Sequence, residues 1–190
     1  MSDNGGVSPT ADGLISAARA AQGEASAGKR GAPPVHLWDP PYCGEIDIVI
    51  RRDGTWIHEG TPIGRPGLVR LFASILKREG DRHFLVTPVE KVGLRVEDAP
   101  FVAVDFEREG DALVFETNVG DRVAAGPDHP IRVETGADGE PAPYVEVRRG
   151  LEALIDRKSF YRLVDEGEAR DGAFGVASGG AFFAIGPAPG

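Results

Sequence analysis

Arginine and glycine stand together at the predicted starts of two amphipathic helices, a pairing suited to holding an anion. Arg65 and Gly67 border the first predicted helix, and Arg148, Arg149 and Gly150 border the second. A helix start exposes unpaired backbone N–H groups with partial positive charge, arginine adds a bidentate donor, and glycine lets a ligand approach the backbone. The pattern predicts a phosphate-bearing ligand, held in one cleft if the two helix starts face each other. The alternative is that these arginines are solvated or pair with acidic residues.

Three further residues are candidate ligand contacts. Thr117 and Asn118 open a polar loop after an apolar strand, and loops on a rigid sheet edge are good positions for ligand binding. Trp38 could stack on a base or a sugar. Each has a structural alternative, which is an ordinary turn for the loop and core packing for the tryptophan.

No catalytic residue, metal ligand or cofactor site is assigned from the sequence. The four histidines are scattered, and no H-E-x-x-H motif is present. His36 and Cys43 could form a nucleophile pair, but a lone cysteine is more often a small buried hydrophobe, and no orienting acid accompanies them. An enzyme that acts on a phosphorylated metabolite stays open as an alternative, with Glu90, Asp105 or His129 as its base.

Composition narrows the class of protein. The chain has 190 residues, with 21 basic and 30 acidic side chains and a net charge of −9, which disfavours a nucleic-acid partner. The single cysteine excludes an intramolecular disulfide and a multi-cysteine zinc site. No apolar run approaches the roughly 20 residues of a membrane span. The first residues lack the pattern of a secretory signal, so a cytoplasmic location is expected.

The elements that must position these residues follow from hydrophobic spacing. Met1–Pro34 is rich in Gly, Ala and Ser. Leu14 and Ile15 with the Ala-rich stretch to Ala21 could form a short helix, but this stretch lacks a strong apolar face, so a mostly disordered tail is expected. The remainder is expected to form two domains, 35–98 and 99–190. Apolar residues at helical spacing predict one helix over 66–78 and another from Gly150 to about Asp165. Alternating apolar runs predict strands for most of the rest, with turns at Asp53-Gly54, Gly110-Asp111 and Asp138-Gly139.

Both halves show the same predicted order of strand, Asp-Gly turn, strand, helix, strand and strand. The segment 65–72 also resembles 148–155, and the same number of residues separates Ile48 from Ile131. These observations predict an α+β fold made of two similar domains that arose by internal duplication, each an antiparallel sheet with one main helix.

Long segments of the chain resemble the bacterial family called domain of unknown function 1285. The segments that carry this resemblance are HLWDPPYCGEIDIVI, RDGTWIHEGTPIGRPGLVRLF, FLVTPVEKV, TNVGDRVAAGPDHPIRV, PYVEVRRGLEALIDRKSFYRLV and SGGAFFAIG, within about Pro34 to Gly186. The resemblance implies a duplicated α+β core whose C-terminal domain is similar to a pleckstrin-homology fold. It also implies a nucleotide-type ligand at the interdomain surface and a role in signalling. It supplies no catalytic residues, and relatives often carry tryptophan where this chain has Ala177.

The expected function is that of a cytoplasmic ligand-binding module. It would sense a nucleotide-like or other anionic small molecule between its domains and pass that state to a signalling protein partner. The alternative from another class is a protein-interaction adaptor with no small-molecule ligand, which would expose a sizeable apolar patch.

Overall fold

The computed structural model describes residues 10–26 and 32–188. The chain forms two compact units. The first comprises Met1–Ile50 and Thr55–Val96, and the second comprises Arg51–Gly54 and Glu97–Gly190. Each unit is built around its own six-stranded sheet. In the described residues, no helix is long and apolar enough to cross a membrane.

The first unit begins with a helix that the sequence analysis missed. Helix α1 spans Ala11–Ser26, where a disordered tail was expected, and it buries Leu14, Ala18 and Ala21. This spacing places one leucine and two alanines on one helical face. Two of the three buried side chains are single methyl groups, so the apolar signal in the sequence is weak. Residues 1–9 and 27–31 of the expected tail lie outside the described residues.

The sheet of the first unit consists of two three-stranded meanders. A 3-10 helix, Val35–Leu37, precedes it. The strands and the intervening helix are β1 Tyr42–Ile50, β2 Trp56–His58, β3 Thr61–Pro62, α2 Pro66–Ser74, β4 Leu76–Glu79, β5 Arg82–Val86 and β6 Lys91–Val96. Their order in the sheet is β3-β2-β1-β6-β5-β4, and β1 pairs with β6 in parallel. The sheet is therefore mixed, whereas an antiparallel sheet was predicted.

Helix α2 packs its apolar face onto this sheet. It buries Leu71, Phe72 and Ala73, and the Phe72 ring stacks on Trp56 with 6.2 Å between ring centroids. The predicted helix continued to Arg78, but α2 ends at Ser74 because β4 begins at Leu76 and pairs with β5. Tertiary pairing here overrides a local helical pattern.

The sheet of the second unit has the same strand connectivity. Its strands are β7 Phe101–Glu109, β8 Ala112–Thr117, β9 Arg122–Ala124, β10 Ile131–Thr135, β11 Pro141–Arg148 and β12 Leu151–Ile155. Their order is β10-β11-β12-β7-β8-β9, again two meanders joined by a parallel pair, here β12 with β7. By connectivity, β1 corresponds to β7 and β6 corresponds to β12. The fold is α+β, with two sheet-rich units and three α-helices in the described residues.

The second predicted helix is wrong over its first part. Residues 151–155 form β12, and Leu151, Ala153 and Ile155 are buried in strand alternation. The helix of this region, α3, spans Arg157–Asp165 and begins where the Asp156 carboxylate accepts a hydrogen bond of 2.8 Å from the backbone N–H of Ser159. Helix α2 lies between two meanders and α3 follows both, so the predicted equivalence of 65–72 with 148–155 is also wrong.

A three-stranded sheet completes the second unit. It consists of β13 Glu168–Arg170, β14 Ala173–Ser178 and β15 Ala181–Pro187 in sequence order. Ser178 connects it to the larger sheet, because its buried hydroxyl accepts a hydrogen bond of 2.7 Å from the Leu113 backbone N–H and donates one of 2.7 Å to the Ala125 carbonyl.

Candidate functional site

The start of α2 is exposed and carries no side-chain cap. Arg65 is the N-cap residue, its side chain makes no capping hydrogen bond, and no acidic residue lies in the first turn. Gly67 is exposed, and a Cβ atom at that position would meet nothing within 4 Å. Its backbone N–H has no acceptor within residues 10–26 and 32–188. The helix start therefore presents an available donor with partial positive charge.

Helix α1 forms the second wall of a groove beside this helix start. The cavity has a volume of about 370 Å³ and is lined by Arg19 and Gln22 from α1 and by Gly67, Leu68, Arg70 and Leu71 from α2. The Gln22 side chain donates a hydrogen bond of 3.1 Å to the Ser74 hydroxyl, which links the two helices. Gly67 and Arg70 are three residues apart and share a helix face.

The arginines around this groove have no acidic partner within the described part of the chain. Arg19, Arg65 and Arg70 make no ion pair there, although the protein carries an excess of acid. Several arginines elsewhere in the two units pair with carboxylates, namely Arg82, Arg108, Arg122, Arg132, Arg148, Arg162 and Arg170. The α1–α2 groove is therefore a local concentration of unneutralised positive charge.

Arg148, Arg149 and Gly150 do not stand at a helix start. Arg149 and Gly150 have φ angles of 46° and 78° and form the tight turn between β11 and β12. The Arg148 guanidinium makes an ion pair of 2.6 Å with Asp121 and lies 5.1 Å from the centroid of the Phe101 ring. The alternative given above, an arginine paired with an acidic residue, describes Arg148.

The polar loop after β8 contacts other parts of the second unit. The Thr117 hydroxyl accepts a hydrogen bond of 3.0 Å from the Asp121 backbone N–H. The Asn118 side chain accepts one of 2.9 Å from Val102 and donates one of 3.4 Å to the Gly54 carbonyl. These contacts hold a turn in place, which agrees with the alternative that this loop is an ordinary turn.

The remaining candidates are not among the residues that line the groove. Trp38 is half-buried, and its carbonyl accepts a hydrogen bond of 3.4 Å from Lys77. Cys43 is exposed, and its thiol donates to the Pro41 carbonyl. Asp105 binds the Arg162 guanidinium and the Phe106 backbone N–H, and in that order these hydrogen bonds lower the pKa of its carboxyl. Such a carboxylate stays ionised and is a weak proton acceptor.

A second cleft, of about 230 Å³, lies beside the start of α3. Its charged lining is balanced, with Arg52 and Arg157 against Glu140 and Asp156. Asp156 already caps the helix and partly neutralises its start. No group of three or more side chains suited to metal binding occurs in residues 10–26 and 32–188. The α1–α2 groove is thus the stronger candidate for an anion.

Arg65 is the N-cap residue of α2 but does not line the groove. Of the lining residues, the sequence pointed to Gly67 and missed Arg19, Gln22 and Arg70. The first two lie on α1, which was expected to be disordered. The available signal was the spacing of Leu14, Ala18 and Ala21, which places a narrow apolar face on a helix.

The fold defines a two-domain α+β protein in which each domain carries a six-stranded sheet of two meanders. Residues 33–99 match the model described as "Domain of unknown function (DUF1285), N-terminal domain", and residues 100–185 match "Protein of unknown function (DUF1285), C-terminal domain". The chain belongs to the DUF1285 family.

Two solved structures are similar to this chain. A DUF1285 family protein from Silicibacter pomeroyi DSS-3 is 60% identical, with a TM-score of 0.83 over 94% of this chain and 97% of that one. A DUF1285 family protein from Shewanella baltica OS155 is 34% identical, with a TM-score of 0.51 over 62% of this chain and 90% of that one. No curated protein matches the chain.

Proposed function

We propose that this protein binds a phosphate-bearing small molecule in the α1–α2 groove of its first unit. One observation carries the proposal: Arg19 and Arg70 line a single cavity beside an uncapped helix start and have no acidic partner among the described residues. The proposed site lies within the first unit alone. Arg148, Arg149 and Gly150, which were predicted to border a second helix, lie at the turn between β11 and β12.

The groove offers separate surfaces for the two parts of such a ligand. The phosphate oxygens would accept hydrogen bonds from the Gly67 backbone N–H and from the arginine side chains, where charge-assisted bonds are strong. Leu68, which is half-buried, provides a small apolar surface for an organic group such as a nucleoside. A nucleotide-like ligand would use both surfaces, whereas a free inorganic ion would leave Leu68 uncovered.

Four further expectations remain predictions. The shared strand connectivity of the two sheets supports an internal duplication in which β1–β6 corresponds to β7–β12. The likeness of the second unit to a pleckstrin-homology domain, the role in signalling and the cytoplasmic location stay expectations from sequence.

A thermal-shift panel of nucleotides, sugar phosphates and inorganic phosphate, at constant ionic strength, tests the proposal. A ligand at 100 times its Kd stabilises the protein by about 2.7 kcal/mol, which is roughly 5–10 °C in Tm for a chain of this size. Arg70→Ala and Arg19→Ala should each weaken binding about tenfold, the loss of one charge-assisted hydrogen bond. Arg95→Ala, at an exposed arginine of β6, is the matched control. A flat panel, or equal affinity in all three variants, contradicts the proposal.

An adaptor role is the second candidate function. Leu37 and Val89, in the first unit, are 72% and 69% exposed, and apolar side chains of this kind are common at protein–protein contacts. If the panel is flat and a double Leu37→Ser, Val89→Ser variant loses a partner that the natural chain retains in a pull-down, the adaptor replaces the ligand-binding proposal.

A further inference from the structure

Helix α1 is attached to the first unit by a small apolar surface. Its buried hydrophobic side chains, among those described, are Leu14, Ala18 and Ala21. Two of these bury only one methyl group each, whereas ordering a helix of 16 residues costs backbone entropy at every position. An isolated helix of this length is marginal in water. The free energy of docking α1 is therefore small, and its other contacts with α2 can decide whether α1 is docked.

The two arginines of the groove oppose the docking of α1. Docked α1 places Arg19 in the same groove as Arg70, with no carboxylate between them in the described part of the chain. Both side chains are exposed, and like charges in one open groove repel each other weakly. The Gln22–Ser74 hydrogen bond favours docking but leaves this repulsion in place. An anion in the groove would convert the repulsion into two attractions.

We propose that α1 docking is coupled to anion binding, so that α1 is a strap that closes over the ligand and reports whether the groove is occupied. This inference rests on the proposed function and adds its regulation. The ligand would touch both walls of the groove only when α1 is docked, because Arg19 comes from α1 while Gly67 and Arg70 come from α2. It must then bind the docked state more tightly and shift the population toward that state.

The coupling is reciprocal, which gives a quantitative relation between the two events. If the ligand favours α1 docking by some factor, α1 docking raises ligand affinity by the same factor. Weakening the apolar anchor of α1 should therefore weaken phosphate binding, although the anchor residue is absent from the groove lining. Leu14→Ala is such a change, because Leu14 is fully buried on the packed face. The exposed Ser16→Ala on the same helix is its matched control.

Hydrogen exchange of the full chain, with and without adenosine 5′-diphosphate, tests the coupling, and the NMR signal of the Gly67 amide reports binding independently. Sodium chloride at equal ionic strength is the reference. We expect the nucleotide to slow exchange throughout α1 at least threefold in the natural chain and in Ser16→Ala. In Arg19→Ala this protection should be lost, and in Leu14→Ala the Kd should rise about tenfold.

The outcomes separate the inference from the function on which it rests. If the Gly67 signal shifts with nucleotide but α1 exchanges at an unchanged rate, the groove binds the anion and the coupling is wrong. If α1 is protected equally in Arg19→Ala, the strap does not act through that arginine and the inference also fails. If neither the Gly67 signal nor α1 responds to the nucleotide or to inorganic phosphate, both proposals are overturned.

Discussion

The hydroxyl of Tyr144 donates a hydrogen bond of 2.7 Å to Oδ1 of Asp98, between the middle of β11 and the segment that leads into β7. The second carboxylate oxygen, Oδ2, is buried and lies 3.5 Å from the Arg52 side chain. Burial of Tyr144 and then its bond to Asp98 raise the pKa of the phenol above its ordinary value. The pair anchors the start of the second unit to the interior of its sheet.

Removing this hydroxyl should destabilise the protein. We expect Tyr144→Phe to lower the free energy of unfolding by about 1.5–3 kcal/mol, the range for a hydrogen bond to a charged group whose partner is then left unpaired. Urea unfolding monitored by fluorescence measures the change. Tyr161→Phe, at a tyrosine that is 61% exposed, is the control and should shift stability by less than about 0.5 kcal/mol. An equal effect of both changes would show that the bond to Asp98 contributes nothing.

Two buried serines of the second unit should respond in opposite ways to alanine. Ser178→Ala removes both the acceptor of the Leu113 N–H and the donor to the Ala125 carbonyl, so about 2–4 kcal/mol should be lost. Ser159 is also fully buried, but its hydroxyl has no hydrogen-bond partner in the described structure. Ser159→Ala removes an unpaired polar group and should be neutral or stabilising. Thermal unfolding of the two variants side by side checks this, and a strong loss in Ser159→Ala would contradict it.

Arg148 and Arg70 should separate stability from binding. Arg148 pairs with Asp121 and packs on Phe101, so Arg148→Ala should cost about 1 kcal/mol of stability and leave nucleotide affinity unchanged. Arg70 has no acidic partner among the described residues, so Arg70→Ala should leave stability without ligand nearly unchanged while affinity falls. Calorimetric titration measures the nucleotide affinity of each variant, and urea unfolding measures its free energy of unfolding. Loss of affinity in Arg148→Ala would return that residue to the binding site.

The strands of this fold were easier to predict than its helices. Asp53-Gly54 and Asp138-Gly139 correctly marked the β1–β2 and β10–β11 hairpins, because such turns are determined by local chemistry. The segment 151–155 satisfies both periods, since Leu151, Leu154 and Ile155 share a helical face while Leu151, Ala153 and Ile155 share a strand face. Pairing with β11 and β7 makes the segment a strand, and β7 is distant in the sequence.

The candidate site was half predictable for a related reason. Arg65 and Gly67 adjoin a helix with a clear apolar face, so their placement follows from local spacing. Arg19 belongs to a helix whose packed face is mostly alanine, which a hydrophobicity pattern hardly distinguishes from disorder. The parallel pairing of β1 with β6 likewise cannot be predicted from local sequence, because four strands and helix α2 lie between them in the chain.

His83 should make the stability of the first unit depend on pH. It lies on β5, its Nε2 atom is buried without a hydrogen-bond partner, and burial, followed by the charge of Arg78, lowers its pKa from 6.5 to about 4. Above pH 6.5 the ring is neutral in both states. As the pH falls from 6.5 toward 4, only the unfolded chain takes up the proton, so the free energy of unfolding must fall in that window.

The lowered pKa of His83 sets the size of this pH dependence of stability. Allowing for partial solvent exposure of the ring, we expect a loss of about 2 kcal/mol between pH 7 and pH 4.5. His83→Leu matches the apolar Leu94 that faces it across the sheet and should abolish most of this slope. Glu79 has a lowered carboxyl pKa, because it binds Lys91, so its loss of stabilisation begins only as the pH approaches 4.5 and below. Urea unfolding at several pH values decides the matter, since an unchanged slope in His83→Leu would assign the pH dependence to other groups.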